Sequence, residues 1–508
     1  MFVPSPGHSP STRRARLLAA LVVSASLLAA GCGSDDGSLA ETRPPTTSIS
    51  TTAAGDIGGW TPDPIVWSQC VDAPRYDCAT LQVPIDWSEP SSGTIPLAVT
   101  RSAATGDRIG TLFLNPGGPG GSGIQFLHNS SFNAALGARF DLVSWDPRGV
   151  GESAGLTCGD DGAVEEFLRN DPDPDTPEEV EALFADAEAI AVDCERPGTP
   201  DARLLAHLGT DDVARDLEAL RLAVGDEQLT YLGFSYGTLI GQRYLEQFPT
   251  SVRAMVLDGV VDPTLALTEW LTGQALAFET SIQDIFDACG SDCPVDDLGA
   301  AFDTLKATLE KAPLSDGKGK ELGPAELETA AVFSSYDPTN WDRLADGIAR
   351  AIDGDPSALL GLARQYYDFG GFTSYVSVSC TDTPHPVGAA AYGAFIEELS
   401  AKAPRIGGMI AAELAPCAFW PVEAKPLGTT VAAPGAPAVL VIGTTGDAAT
   451  PYANAERVAE GLESGVLVTL VGDGHTAYGK VPCITNVVDA YLLRLTVPDA
   501  DPRCSSGD

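Results

Sequence analysis

Short apolar runs alternate with longer amphipathic stretches along most of this chain. Each run stops at a turn rich in glycine, proline or aspartate. The clearest are Thr111–Asn115, Phe140–Trp145, Leu229–Gly233, Val252–Asp258, Ala438–Gly443 and Val466–Val471. A strand covered on both faces reads as a continuous apolar run, and a helical return between such strands gives parallel pairing. The pattern predicts a mostly parallel sheet flanked by helices, an α/β architecture. Tyr76–Ile85 and Thr94–Thr100 come earlier and read as an antiparallel entry. Two stretches break the rhythm. Residues 158–207 are acidic and helical. Residues 265–425 carry helical patterns at Glu269–Cys289, Ala300–Lys311, Leu344–Ile352 and Ala389–Lys402, without a strong strand signal. That second block falls between two sheet strands. It is expected as a helical cap inserted into the sheet domain, dividing it into 60–264 and 426–508.

The beginning of the chain is read as a targeting segment. Arg13, Arg14 and Arg16 precede the apolar run Leu17–Ala30, which is too short for a comfortable membrane span. Leu28-Ala29-Ala30-Gly31-Cys32 has the form of a lipoprotein processing site, so residues 1–31 are expected to be removed and Cys32 to carry lipid. Residues 32–59 are rich in Ser, Thr, Pro and Gly and are read as a tether. The ten other cysteines form an even set, which suits a disulfide framework in an oxidising compartment. Nearest-neighbour pairing would join Cys70–Cys78, Cys158–Cys194, Cys289–Cys293, Cys380–Cys417 and Cys483–Cys504. Cys289 and Cys293 have no histidine nearby and no second close pair, so no metal is expected. The 70 acidic against 30 basic residues, a net charge of −40, argue against nucleic acid and against an anionic lipid surface. Membrane contact is expected through the lipid alone, and the protein is expected to be a monomer.

Leu229–Gly237 concentrates the chemistry. A strand delivers Gly233-Phe234-Ser235-Tyr236-Gly237 into a helical pattern, and the flanking glycines permit a sharp turn that projects Ser235 above the sheet. A serine hydroxyl needs a base to become nucleophilic. His475, in Gly472-Asp-Gly-His-Thr476, follows the last strong strand, at the carboxyl edge where the catalysts of open α/β sheets gather. His128, His207 and His385 read as packing, surface and cap residues. The orienting acid should follow a strand between the two. Asp447 is favoured because it lies on the strand just before that of His475, with Asp258 as the rival. The glycine loop Leu114–Gly123 follows a buried strand. The Gly118 amide, with that of Tyr236 just after the nucleophile, is expected to receive an oxyanion.

Two other matches in the same loops are set aside. Gly118-Pro-Gly120-Gly-Ser-Gly123 has dinucleotide-binding spacing with Asp146 further on, but Asp146 is locked in Asp-Pro-Arg-Gly149, and an exported chain meets little NAD. Gly474–Lys480 mimics a phosphate loop, but Val481 stands where Ser or Thr is needed. No cofactor is expected.

Asn115-Pro-Gly-Gly-Pro-Gly120, Trp145-Asp-Pro-Arg-Gly-Val-Gly-Glu-Ser153, Gly233-Phe-Ser-Tyr-Gly-Thr238, Gly446-Asp-Ala-Ala-Thr-Pro451 and Gly472-Asp-Gly-His475 occur in that order. Together they resemble the secreted actinobacterial prolyl and tripeptidyl aminopeptidases of the α/β-hydrolase fold, over roughly 60–505. The resemblance implies a serine exopeptidase acting on peptides with a free N-terminus, with Ser235 as nucleophile, Asp447 as acid, His475 as base, and Gly118 and Tyr236 at the oxyanion hole. It departs at Pro116, where intracellular relatives carry histidine. An acid in the cap is the expected anchor for a substrate ammonium, and Asp382 and Glu269 are the candidates. An esterase or lipase of the same fold, acting on acyl esters of the cell envelope, is the alternative. A non-catalytic binding module is the third reading.

Overall fold

The computed structural model describes residues 57–505 apart from 58, 157, 159–160, 196–199, 369–370, 429 and 500. The signal segment, Cys32 and nearly all of the tether lie outside the described residues. Residues 57–508 form one compact unit.

Twelve strands are described: β1 (Ser68–Gln69), β2 (Asp77–Pro84), β3 (Thr94–Ser102), β4 (Gly110–Asn115), β5 (Phe140–Trp145), β6 (Leu229–Phe234), β7 (Val252–Asp258), β8 (Leu314–Ser315), β9 (Glu321–Leu322), β10 (Val439–Gly446), β11 (Gly465–Asp473) and β12 (Arg503–Ser505). Ten of them build one sheet in the order β1-β2-β3-β5-β4-β6-β7-β10-β11-β12. β1, β2, β3 and β5 pair antiparallel, and every pairing from β5 across to β12 is parallel. Every residue of β5 and of β6 is buried, as a strand covered on both faces requires. One apolar cluster holds Phe113, Tyr231, Met255 and Val441; the other holds Leu112, Leu232, Val256 and Ile442. Neighbouring residues of a strand point to opposite faces, so the sheet has a core on each side. This is the α/β-hydrolase architecture.

The insertion lies between β7 and β10 and contains eight α-helices among the described residues, from Leu267–Ala288 to Gly407–Ala412. Its strands among the described residues are β8 and β9, a small antiparallel hairpin. At two residues each, such strands leave no periodic signal. The acidic stretch after β5 also joins the cap. Its helix Pro177–Cys194 starts in a Thr176/Glu179 capping box, and Phe184 meets Phe419 of the insertion edge-on at 6.2 Å. The edge strands β1 and β12 were not expected from the sequence. All five disulfides pair as neighbours: Cys70–Cys78, Cys158–Cys194, Cys289–Cys293, Cys380–Cys417 and Cys483–Cys504. No described helix is long and apolar enough to cross a membrane.

Candidate active site

Ser235 is the residue between β6 and the helix Tyr236–Gln247, and it sits at φ 53°, ψ −127°. A side chain at positive φ is strained by about 1–3 kcal/mol and persists only where its surroundings impose it. Here they do. Its amide donates to Asp258 O on β7 at 2.9 Å. Glycine is required on either side: a Cβ at Gly233 would lie 2.5 Å from Gly237 O, and one at Gly237 would lie 2.8 Å from Asn115 O. The glycine loop presses on the same turn, since a Cβ at Gly117 would lie 2.9 Å from both Ser235 Cβ and Tyr236 N.

That loop has few amides to offer. Pro119 has none, the Gly117 amide donates to Asn115 Oδ1 at 3.0 Å, and that of Gly121 donates to Gly117 O at 3.1 Å. The Gly118 and Tyr236 amides have no hydrogen-bond partner among the described residues.

Asp447 follows β10 and His475 follows β11. The carboxylate oxygens of Asp447 lie 3.0 and 2.9 Å from His475 Nδ1. Thr450 steadies the acid: its amide donates to Oδ1 at 2.8 Å and its hydroxyl to Oδ2 at 3.0 Å. A carboxylate at Nδ1 places the ring proton there and leaves the Nε2 lone pair free. Nε2 is buried without a hydrogen-bond partner, so it is not bonded to Ser235 Oγ in this structure. Such bonds commonly tighten only when substrate is bound. The two residues converge on one strand end. Ser235 binds Asp258 O, and a Cβ on Gly259 would lie 3.0 Å from His475 Cε1.

Asp258 is thereby excluded as the acid of this dyad. Its buried carboxylate accepts from the amides of Ala477 at 3.0 Å and Tyr478 at 2.8 Å, so it anchors the loop that carries His475. Burial pushes its carboxyl up to about 6. The two acids make opposite predictions. Asp447→Asn should lower kcat by roughly 10⁴-fold through the wrong imidazole tautomer, and Asp258→Asn far less. Stopped-flow acylation of both variants checks this.

Asp382 and Glu269, the sequence candidates for a substrate anchor, serve as helix caps instead. Asp382 is buried and accepts from the Thr210 amide at 3.0 Å and from the Thr210 hydroxyl at 2.5 Å, where it caps the helix Thr210–Val224. Glu269 is exposed and accepts from Ala266 N at 3.1 Å in the first turn of its own helix. Both sites suit an acid, because a helix N-terminus has unpaired amides. His128 stacks on Tyr76 and bonds Thr100, consistent with packing. Asp146 accepts from Ser122, Ile124 and Glu152, which occupies the acid of the dinucleotide-like spacing.

The acid that the sequence reading missed is Glu413, at the end of the cap helix Gly407–Ala412. Tyr366 donates its hydroxyl to both carboxylate oxygens, at 3.0 and 3.2 Å. Tyr336, Tyr375 and Tyr392 stand close enough to feel its charge. Burial raises the carboxyl to about 7. Glu413, Tyr336, Tyr366 and Tyr375 all keep partial exposure. The Tyr336 ring meets the His475 ring edge-on at 5.3 Å, which joins this cluster to the dyad. The cap also touches the glycine loop, where Gly371 N donates to Gly120 O at 3.2 Å. A lone acid within Met409–Trp420, otherwise Ala, Leu, Ile, Pro, Cys and Phe, was the available sequence signal.

Residues 403–504 match the family model described as TAP-like protein. The serine protease Hip1 of Mycobacterium tuberculosis is 34% identical over 491 residues, covering 87% of this chain and 91% of that protein. The chain belongs to the TAP-like family of α/β-hydrolases. Among its TAP-like relatives, the tripeptidyl aminopeptidase of Streptomyces lividans is 33% identical over 472 residues, covering 87% of this chain and 86% of that one. Carboxylesterase B of Mycobacterium tuberculosis is 34% identical over 452 residues, covering 84% and 86%.

Proposed function

We propose that this TAP-like chain is an extracytoplasmic serine aminopeptidase that releases short N-terminal fragments through an acyl-enzyme. The observation that carries the reading is Glu413, a half-buried acid held by the Tyr366 hydroxyl in a tyrosine cluster whose Tyr336 meets the His475 ring. A carboxylate held there attracts one kind of group, a cation small enough to enter, and a peptide brings one on its first residue. In the proposed cycle Ser235 Oγ attacks the scissile carbonyl and its proton passes to His475 Nε2. The Gly118 and Tyr236 amides hold the oxyanion, and His475 returns the proton to the leaving amine. Water then repeats the sequence to free the acid. The cap confines cleavage to chain ends.

Glu413→Gln keeps shape and removes charge. Its kcat/KM on free-N-terminal peptides should fall by about 10–100-fold, the worth of a charge-assisted bond of about 1.5–3 kcal/mol, with small-ester turnover within about twofold. The pH sign follows from the raised carboxyl. Below about 7 Glu413 is protonated and loses its attraction for an ammonium. The ratio of free to N-acetylated peptide turnover should therefore drop as pH falls through that value, and should be flat in Glu413→Gln. A preference for blocked peptides in the wild type would overturn the aminopeptidase reading.

One observation favours a second reading, an esterase: the carboxylesterase B relative is as similar as the proteases. Acyl esters assayed beside the peptides decide between them. Export fits the five disulfides, which persist in oxidising compartments. We propose that lipid on Cys32 anchors the protein on the extracytoplasmic face of the cell membrane. The mass of the mature N-terminus isolated from cells tests this, and an unmodified Cys32 would refute it.

A further inference from the structure

His475 is gripped from two sides. The sheet side supplies Asp447, and Asp258 beneath the loop. The cap supplies the rest. The His475 amide donates to Tyr336 O at 2.9 Å, and the Tyr336 ring stands at 85° to the imidazole. The neighbouring glycine has no space for a side chain: a Cβ at Gly474 would lie 3.1 Å from both Tyr336 O and Pro338 Cδ. Lys480 donates to His475 O at 2.6 Å and comes within 3.9 Å of Asp337 Oδ2. Three consecutive cap residues, 336–338, thus hold the base loop.

The ring needs this second hold. On the sheet side its Nδ1 lies 3.0 and 2.9 Å from the two oxygens of Asp447 and 3.3 Å from the Thr450 hydroxyl, contacts at one ring atom that fix the tautomer. The χ2 torsion of histidine is broad and does little to fix the ring's orientation. An aromatic edge 5.3 Å away does, provided it is itself fixed. Tyr336 is fixed, packed on Phe278 at 5.9 Å and Tyr366 at 6.4 Å.

We propose that Tyr336 is a positioning residue for the catalytic base, so that the cap completes the machinery it covers. The proposal rests on the serine-hydrolase reading and not on the peptide one. Its test separates them by using two probes on the full-length protein. A small fluorophosphonate reports how well Ser235 and His475 work together without needing a peptide site. A free-N-terminal tripeptide amide reports the full cycle.

Tyr336→Phe keeps the ring edge and should label within about twofold of wild type. Tyr336→Leu, and Tyr336→Met as a flexible replacement that keeps more of the volume, should label at least about tenfold more slowly, a fraction of what a positioned base contributes. On the peptide amide they should lose kcat. Thermal melting identifies which variants are folded. A folded Leu or Met variant that labels at the wild-type rate overturns the proposal, and so does a folded Phe variant as slow as these. If wild type labels but cleaves no peptide, the peptidase reading falls and the labelling series still decides the role of Tyr336.

Discussion

Replacing Ser235 by alanine is expected to remove turnover by about 10⁶-fold, the loss seen when a nucleophile of this kind is deleted from an intact triad. The fold should not notice. The backbone bond from residue 235 to Asp258 O does not involve the side chain, and the hydroxyl has no structural partner described. A more discriminating variant is Ser235→Gly. The serine is held at φ 53°, which an L-residue tolerates poorly and glycine does not resist. Ser235→Gly should therefore be equally inactive, yet more stable by up to about 1 kcal/mol, within the range that such backbone strain stores. Labelling by a fluorophosphonate and a melting curve on the same samples give both numbers. A glycine variant less stable than alanine would mean that the turn is not under strain.

The second large effect lies in the scaffold. Arg148 is 1% exposed and uses every N–H it has. Nε and one Nη2 proton reach the two oxygens of Asp216, at 2.7 and 2.6 Å, and the rest reach the carbonyls of Pro84, Ile85 and His207. Trp87 also donates to Asp216, at 3.0 Å. One guanidinium thus ties the end of β2 to the acidic insertion and to the helix Thr210–Val224. Arg148→Ala should destabilise by about 3–5 kcal/mol, because it strands a buried carboxylate. Arg148→Lys keeps the charge but cannot fork, and should recover only part of the loss. Asp216→Leu placed on Arg148→Met should cost less than Arg148→Ala alone, since no buried charge is left over. Denaturant midpoints of the variants test the order. A neutral Arg148→Ala would show that this network does not hold the sheet to its insertion.

Those two sites illustrate what a sequence discloses. The strand-end turns that carry Ser235, Asp447 and His475 were legible because in each a buried apolar run meets a glycine turn. The core strands were legible for the same local reason. Asp382 and Glu269 misled because an acid's neighbours in sequence do not reveal its neighbours in space. The partner of Asp382 is Thr210, on a helix that precedes the nucleophile. Glu413 is the converse case, ordinary in its own helix and distinguished only by tyrosines from four other segments. The role of Asp258 was hidden likewise: its carboxylate meets amides that lie beyond the whole insertion.

The pairing of cysteines has a consequence for exchange of the cap. Each described bridge closes within one part of the molecule: Cys70–Cys78 and Cys483–Cys504 on the sheet, Cys158–Cys194 in the acidic segment, Cys289–Cys293 and Cys380–Cys417 in the insertion. No described bridge crosses from the block between β7 and β10 to the strands. An exchange of that block would therefore leave every thiol of the sheet domain paired, and its cost would fall on the Tyr336 contacts to His475 instead.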